Sequence, residues 1–309
     1  MTRTAGRKPK AEKAVTEPGG PAAEMTAAGM TAAGMTATGM MAEPEVRKPD
    51  PRDSSLFVGS TEKTFQILHA FDGPHRQMPL SEIARAANLD RSAAQRLVYT
   101  LEVLGYLRRV HGTRNYALTP KLLQFSYNYL RANELIEKAF PYLLDISRSV
   151  GETTNLQELD GAEIVFVARF PGKHLVNIEF MVGSRLPAYY TASGTAILSR
   201  LSEEEREEIL ARTDLRPLTP YTVCDPDRLR ARVREAGEKG YALLINETVM
   251  GDISVGAAIT DEHGRAVAGL SISVPATRWT PEQVEQELAR HVQVAAASIS
   301  VHKFGGYSR

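Results

Sequence analysis

A single cysteine, Cys224, is all that 309 residues contain. One thiol cannot close an intrachain disulfide or begin a cysteine-based zinc site, which points to a reducing compartment and a fold held by its core. No apolar run approaches the roughly 18 residues that a membrane-spanning helix requires, so no membrane partner is expected. The basic start, MTRTAGRKPKAEK, leads into Ala, Gly, Thr and Met rather than a Leu-rich stretch with a cleavage site, which argues against a secretory leader and for a cytoplasmic address. Net charge is also missing: 37 basic side chains balance 37 acidic ones, which excludes a chain coated along its length with nucleic acid. Among catalytic signatures there is no GxSxG elbow, phosphate-binding GxxxxGK[ST] loop, GxGxxG or HExxH, and the seven histidines are scattered. No enzyme, no metal and no cofactor are therefore expected.

What is present is an ordinary globular composition, 43% hydrophobic and 24% charged, long enough for about two domains. Residues 1–54 combine a basic start, the repeats MTAAG, MTAAG and MTATG, and a Pro-rich exit. They lack the branched and aromatic residues that offset ordering entropy, so a disordered tail is expected. Its Gly6–Lys10 stretch suits a minor-groove arm as well as a solvated tail.

The most telling run is Leu80–Tyr106, within an expected domain of residues 55–120. TEKTFQILHAF carries apolar residues at helical spacing; a second helix is expected from an N-capping Ser81. Asn88-Leu89-Asp90 breaks the chain, and Asp90 caps a third helix from Arg91 to Leu104. Ala94, Leu97, Val98, Leu101 and Leu104 share one face of it, leaving Ser92, Gln95, Arg96 and Tyr99 on the other. Gly105 ends the helix, and strands at Tyr106–Val110 and Asn115–Leu118 enclose a wing with Arg108, Arg109 and Arg114. Residues 55–120 hold eight basic against five acidic side chains, so positive charge gathers where duplex DNA requires it. This is the pattern of a winged helix-turn-helix. A helix in the major groove reads base edges while Arg and Lys hold phosphates; Gln95 suits adenine, Arg96 guanine, and Arg91 a phosphate. Each good base pairing is worth roughly 1–3 kcal/mol of discrimination.

Helical patterning then covers an expected linker helix at 121–138. Phe125, Tyr127 and Tyr129 on it suit either a dimer seam or packing on the DNA-reading domain, and Pro141 is read as a new helix start. In residues 139–309, strands TTNLQEL, EIVFVARF and LVNIEF precede helices at Gly194–Leu201, Glu203–Ala211 and Pro226–Gly237. The strands YALLIN, ISVGAAIT and AVAGLSISV and a closing helix from Pro281 follow. Successive strands, then helices, then strands indicate an α+β domain with an antiparallel sheet. ISVGAAIT-DEHG-RAVAGLSISV reads as a hairpin in which Thr260 faces Arg265, Ser254 faces Ser271 and Gly256 faces Gly269. Those small residues and Ser273 would share one face, with room and hydroxyls for a ligand. Thr191-Ala192-Ser193-Gly194 opens a helix whose free N–H groups suit a carboxylate, with Met181, Tyr189 and Tyr190 as possible walls.

The motifs STEKTFQILHAF, LSEIARAANLDRSAAQRLVYTLEVLGYLRR, YALTPKLLQFSYNYL, LDGAEIVFVAR, RLPAYYTASGTAILSRL, EKGYALLINE and AGLSISVP occur in one order over about residues 55–302. Together they resemble the isocitrate lyase regulator (IclR) family of bacterial transcription factors, most closely its aromatic-acid and ketoadipate branch through RLPAYYTASG. The resemblance implies an N-terminal winged helix-turn-helix, a C-terminal GAF-like effector-binding domain, homodimers or tetramers, a duplex operator and a small-molecule effector. Family effector contacts transfer to Ala192, Ser193, Ser254, Ser271 and Ser273 and to the neighbourhood of Glu247. Where the family commonly shows Gly-Leu-Arg-Ser this chain has Gly251-Asp252-Ile253-Ser254, and an aspartate of some relatives falls on Leu244. Both departures are expected to make the site less polar, favouring a partly apolar or aromatic ligand over a small dicarboxylate. For an anionic ligand, counter-charge is expected from the helix N-terminus or from Arg169, Arg185 or Lys173. The competing readings are an enzyme with a fused DNA-binding module and a DNA-binding protein without effector.

Overall fold

The computed structural model describes residues 50–73, 75–173 and 180–300; the 1–49 tail and most of the expected strand LVNIEF lie outside them.

Residues 50–57 form a unit of their own, with one 3₁₀ turn at Pro51–Asp53. In the unit beginning at Val58, α1 (Gly59–His69), α2 (Leu80–Ala86) and α3 (Arg91–Val103) enclose a small core of Ile67, Ile83, Val98 and Leu101. Helix α2 starts one residue before Ser81, with Pro79 at the cap and no side-chain cap bond. Ser81 therefore lies inside the first turn rather than capping it. The break before α3 is made by Asn88, whose φ of 52° places it in the left-handed region that asparagine tolerates. Asp90 then caps α3, accepting from the Ala93 N–H at 2.8 Å. That bond holds its carboxyl below the ordinary range. Of the apolar face, Ala94, Val98 and Leu101 are buried while Leu104, the residue that caps the C-terminus of α3, is half exposed.

Strands β2 (Leu107–Arg109) and β3 (Asn115–Leu118) form the wing, and a two-residue β1 (Met78–Pro79), not foreseen in the sequence, adds to β3. After it, α4 (Leu123–Ala132) and α5 (Glu134–Val150) are divided at Asn133, whose side chain caps α5 at the Ile136 N–H. The division is not at Pro141, which sits inside α5. Pro141 and Glu137, whose carbonyl loses its helical donor there, both face solvent, so water can satisfy it.

The remainder is a six-stranded antiparallel sheet flanked by helices, in the order β6-β5-β4-β9-β8-β7. Its strands are β4 (Thr153–Asp160), β5 (Glu163–Phe170), β6 (Arg185–Pro187), β7 (Ala242–Ile245), β8 (Asp252–Thr260) and β9 (Ala266–Pro275). One face packs on α5 and on the C-terminal helix, which begins as α9 (Pro281–Gln283), widens into a π turn at Val284–Leu288 and ends as α10 (Ala289–Ser300). Ile253, Val255, Ile259, Leu270, Ile272 and Val274 fill that core with Leu143 and Val292. The other face receives α6 (Ala192–Leu198), behind which lie α7 (Glu203–Arg212) and α8 (Pro226–Lys239).

The hairpin register differs from the expected one by two residues. Ser254 stands opposite Ser273 and Gly256 opposite Ser271: Thr260 pairs with Ala266 rather than Arg265, and an irregularity between Ile259 and Thr260 shifts the ladder by one residue more. Side chains alternate with a period of two, so an even slip leaves every residue on its expected face.

Candidate nucleic-acid interface and ligand cavity

Arg91, Ser92, Gln95, Arg96 and Tyr99 are all exposed on α3, on the face opposite Ala94, Val98 and Leu101. With core residues on one side and the Asp90 cap fixing the first turn, α3 presents its polar side as a rigid row. The wing arginines are not equivalent. Arg109 donates to Glu102 at 3.1 Å and lies over the Tyr116 ring, so its charge is partly committed within the domain. Arg108 and Arg114 stand exposed on the strand and turn, suited to phosphate contact.

The second candidate site is a cavity of about 50 Å³ on the α6 face, which opens to solvent. Ala192, Ser193, Ser254, Ser271 and Ser273 line it. The two hairpin glycines do not leave room, as was expected; they admit α6. A Cβ at Gly256 would lie 2.7 Å from the Ser193 nitrogen, and one at Gly269 would lie 2.8 Å from the Ser193 Cβ. The glycines bring Ser193 down onto the sheet, and the serines around them form the floor.

Three expected residues lie elsewhere. Tyr190 is buried in the core beside Tyr189, whose hydroxyl donates to the Arg216 carbonyl at 2.6 Å. Gly194 gives its N–H to the Thr191 hydroxyl at 3.1 Å, and a Cβ there would meet the Ala188 carbonyl at 2.2 Å; it serves helix packing. Glu247 pairs with Arg232 at 3.1 Å and accepts from the Val223 N–H at 3.0 Å, so it fastens a loop to α8. Met181 is exposed and Arg185 is engaged by Glu163 and Asp160 at the sheet edge. Lys173 is likewise absent from the cavity wall among the residues described.

The wall holds a polar network that the sequence reading largely missed. Arg169 donates to Asn155 at 2.7 Å, Asn155 approaches the Ser271 hydroxyl at 3.4 Å, and Gln157 donates to it at 3.0 Å. Asn155 and Gln157 alternate along β4, and the pairing of Asn155 with Ser271 carries them under α6. In sequence such alternation looks like a solvent face. Burial lowers the Arg169 pKa, opposed by the negative charge of Asp252. Asp252 also lines the cavity and accepts from the Ser254 hydroxyl; burial pushes its carboxyl up to about 6 against those two favourable partners. The expected loss of polarity is thus corrected. Ile253, in the place of the family's arginine, points into the opposite core, while its neighbour Asp252 brings a carboxyl to the cavity. Leu244 packs against Ala192 and Ala236 and is not on the wall. Phe166 and Phe180, stacked with centroids 5.5 Å apart, and Leu186 form the apolar side. Ser193 lines the cavity, and its buried hydroxyl has no hydrogen-bond partner, as is also true of Thr195 outside the cavity wall; such a group is costly unless something satisfies it.

A winged helix-turn-helix joined to a sheet domain with a partly polar cavity defines a class, the DNA-binding regulators that respond to small molecules. Two family models match the chain: IclR helix-turn-helix domain over residues 60–111 and bacterial transcriptional regulator IclR C-terminal over residues 127–301. The Pca regulon regulatory protein of Pseudomonas putida is 30% identical over 250 residues, 81% of this chain and 85% of that protein. The crystal structure of Thermotoga maritima IclR superposes with a TM-score of 0.61 at 31% identity, covering 79% of this chain and 98% of that one. An IclR homologue of Microbacterium hydrocarbonoxydans, crystallised with 4-hydroxybenzoate, gives 0.65 at 26% identity, covering 78% and 98%. The chain belongs to the IclR family and is a DNA-binding transcriptional regulator of the effector-responsive type. No helix among the described residues is long and apolar enough to cross a membrane.

Proposed function

We propose that residues 55–120 read a duplex operator through α3 and the wing, and that the cavity of the 139–309 domain holds a small amphipathic carboxylic acid, most simply an aromatic one, which sets operator affinity. Residues 121–138 would join the two. The single observation carrying the ligand reading is the buried, unpartnered Ser193 hydroxyl on the cavity wall. The aromatic choice rests on the Phe166–Phe180 stack lining the same cavity as Arg169 and the serines, and on the relative crystallised with 4-hydroxybenzoate. Arg91, Ser92, Gln95, Arg96 and Tyr99 are assigned to base and phosphate contact, with Arg108 and Arg114 on flanking phosphates. A palindromic operator calls for a two-fold protein, and the exposed Leu123, Phe125 and Tyr127 of α4 support a homodimer, or a tetramer of such pairs. The ligand would be bound in the cytoplasm and released unchanged, since the relatives are named as regulators. Thermal-shift titration tests this: 4-hydroxybenzoate at 100 times its Kd should stabilise the protein by about 2.7 kcal/mol. A flat melting curve with every aromatic acid up to millimolar concentration counts against the reading.

A further inference from the structure

Resting on the reading of the cavity as the effector site, we propose that Asp252 sets the charge of the effector: the cavity admits one carboxylate together with one proton, which Asp252 takes from solvent, and rejects a second carboxylate.

Among the described lining residues, Arg169 and Asp252 are the only charged groups, so the empty cavity is balanced. A ligand carboxylate drawn to Arg169 brings a second negative charge into the space between α6 and the sheet. Two carboxylates sharing one guanidinium disfavour each other's ionisation. The cheapest restoration of balance is a proton from water on a carboxylate oxygen of Asp252, which breaks no bond but the proton's own with solvent. The neutral carboxyl then becomes a hydrogen-bond donor toward the ligand. Among the described lining residues no other group takes that proton. The facing elements supply Asn155 from β4, Arg169 from β5, Ser193 from α6, Thr248 and Val249 from the loop before β8, and Ser273 from β9; of these only the arginine titrates, and it stays charged. Burial already disposes Asp252 to protonation near pH 6. A dicarboxylate would leave one uncompensated charge even after Asp252 is neutral.

The experiment is calorimetry on the full chain with benzoate, 4-hydroxybenzoate and adipate at pH 7.5, in buffers of different ionisation enthalpy, repeated from pH 5.5 to 8.5. Monocarboxylate binding should take up close to one proton per site and weaken about tenfold per pH unit above 7, with adipate at least tenfold weaker. Asp252→Asn should bind without proton uptake, with little pH dependence and more tightly at pH 8; Asp252→Leu, should the amide disturb folding, should behave alike. Binding without proton uptake in the unaltered protein, or uptake retained in both variants, overturns the proposal while leaving the cavity reading intact. Binding that survives blockage by Ser271→Leu, or no binding of any of the three acids to any variant, overturns both.

Discussion

Ser254 and Ser273 stand directly opposite each other on β8 and β9, their hydroxyls 3.2 Å apart. Ser254 also donates to Asp252, and the pair forms the floor of the cavity. The neighbouring Ser271 is more deeply held, receiving the Gln157 and Asn155 amides. Ser271→Leu both fills the cavity and strips partners from two buried amides, each costing about 1–3 kcal/mol. Aromatic-acid affinity should fall at least tenfold, and the melting temperature should drop measurably; an unchanged calorimetric Kd would move the ligand elsewhere.

Gly256 and Gly269 make a sharper structural test. Gly256→Ala places a methyl group 2.7 Å from the Ser193 backbone nitrogen, and backbone cannot swing aside as a side-chain tip can. Overpacking of this kind costs about 1–3 kcal/mol. Urea unfolding should show that loss.

Glu247 and Arg232, with side chains about 10% and 15% exposed, form a nearly buried pair. Glu247→Gln leaves the guanidinium uncompensated and should destabilise the fold by about 3 kcal/mol, while ligand affinity measured on the folded protein stays within twofold. A large loss of affinity with stability intact would return Glu247 to the binding site.

On the DNA side, Arg96→Ala should abolish specific operator binding in a mobility-shift assay with the melting temperature within a degree, since Arg96 is exposed. Arg108→Ala and Arg114→Ala should each lower the slope of log K against log salt by about 0.9. Arg109→Ala should lower it less, because Glu102 already holds that charge.

Asp252 makes stability pH-dependent in a direction opposite to most carboxylates. Its folded pKa of about 6 lies above the ordinary aspartate value of 3.8, so the native state prefers the protonated form. That contribution is full below about pH 4 and is lost as pH rises through 6, amounting to about 3 kcal/mol. The stability gained by Asp252→Asn over the unaltered protein should therefore grow between pH 4 and 7 and then level. A gain independent of pH would contradict the assignment.

Much of this was readable beforehand because it is local. Helix α3, its Asp90 cap and its exposed row follow from the 3.6-residue period, and the serine face survived a register error because the slip was even. What was not readable depends on distant pairing. Asn155 and Gln157 become cavity walls only because β4 pairs with β9, more than 110 residues away. Gly256 reads in sequence as open space, whereas α6 rests on it. The substitution at Ile253 carried no meaning for the ligand once its side chain was found in the opposite core. Pro141 misled because a proline on the solvent side of a helix can be tolerated.

The most direct test of the account is operator affinity by fluorescence anisotropy, with and without 4-hydroxybenzoate, for the unaltered protein and Ser271→Leu. Ligand should change the operator Kd of the unaltered protein by fivefold or more, as a typical allosteric coupling requires, and leave that of the variant unchanged. An equal response in both proteins, or none in the unaltered protein at saturating ligand, would contradict control through this cavity.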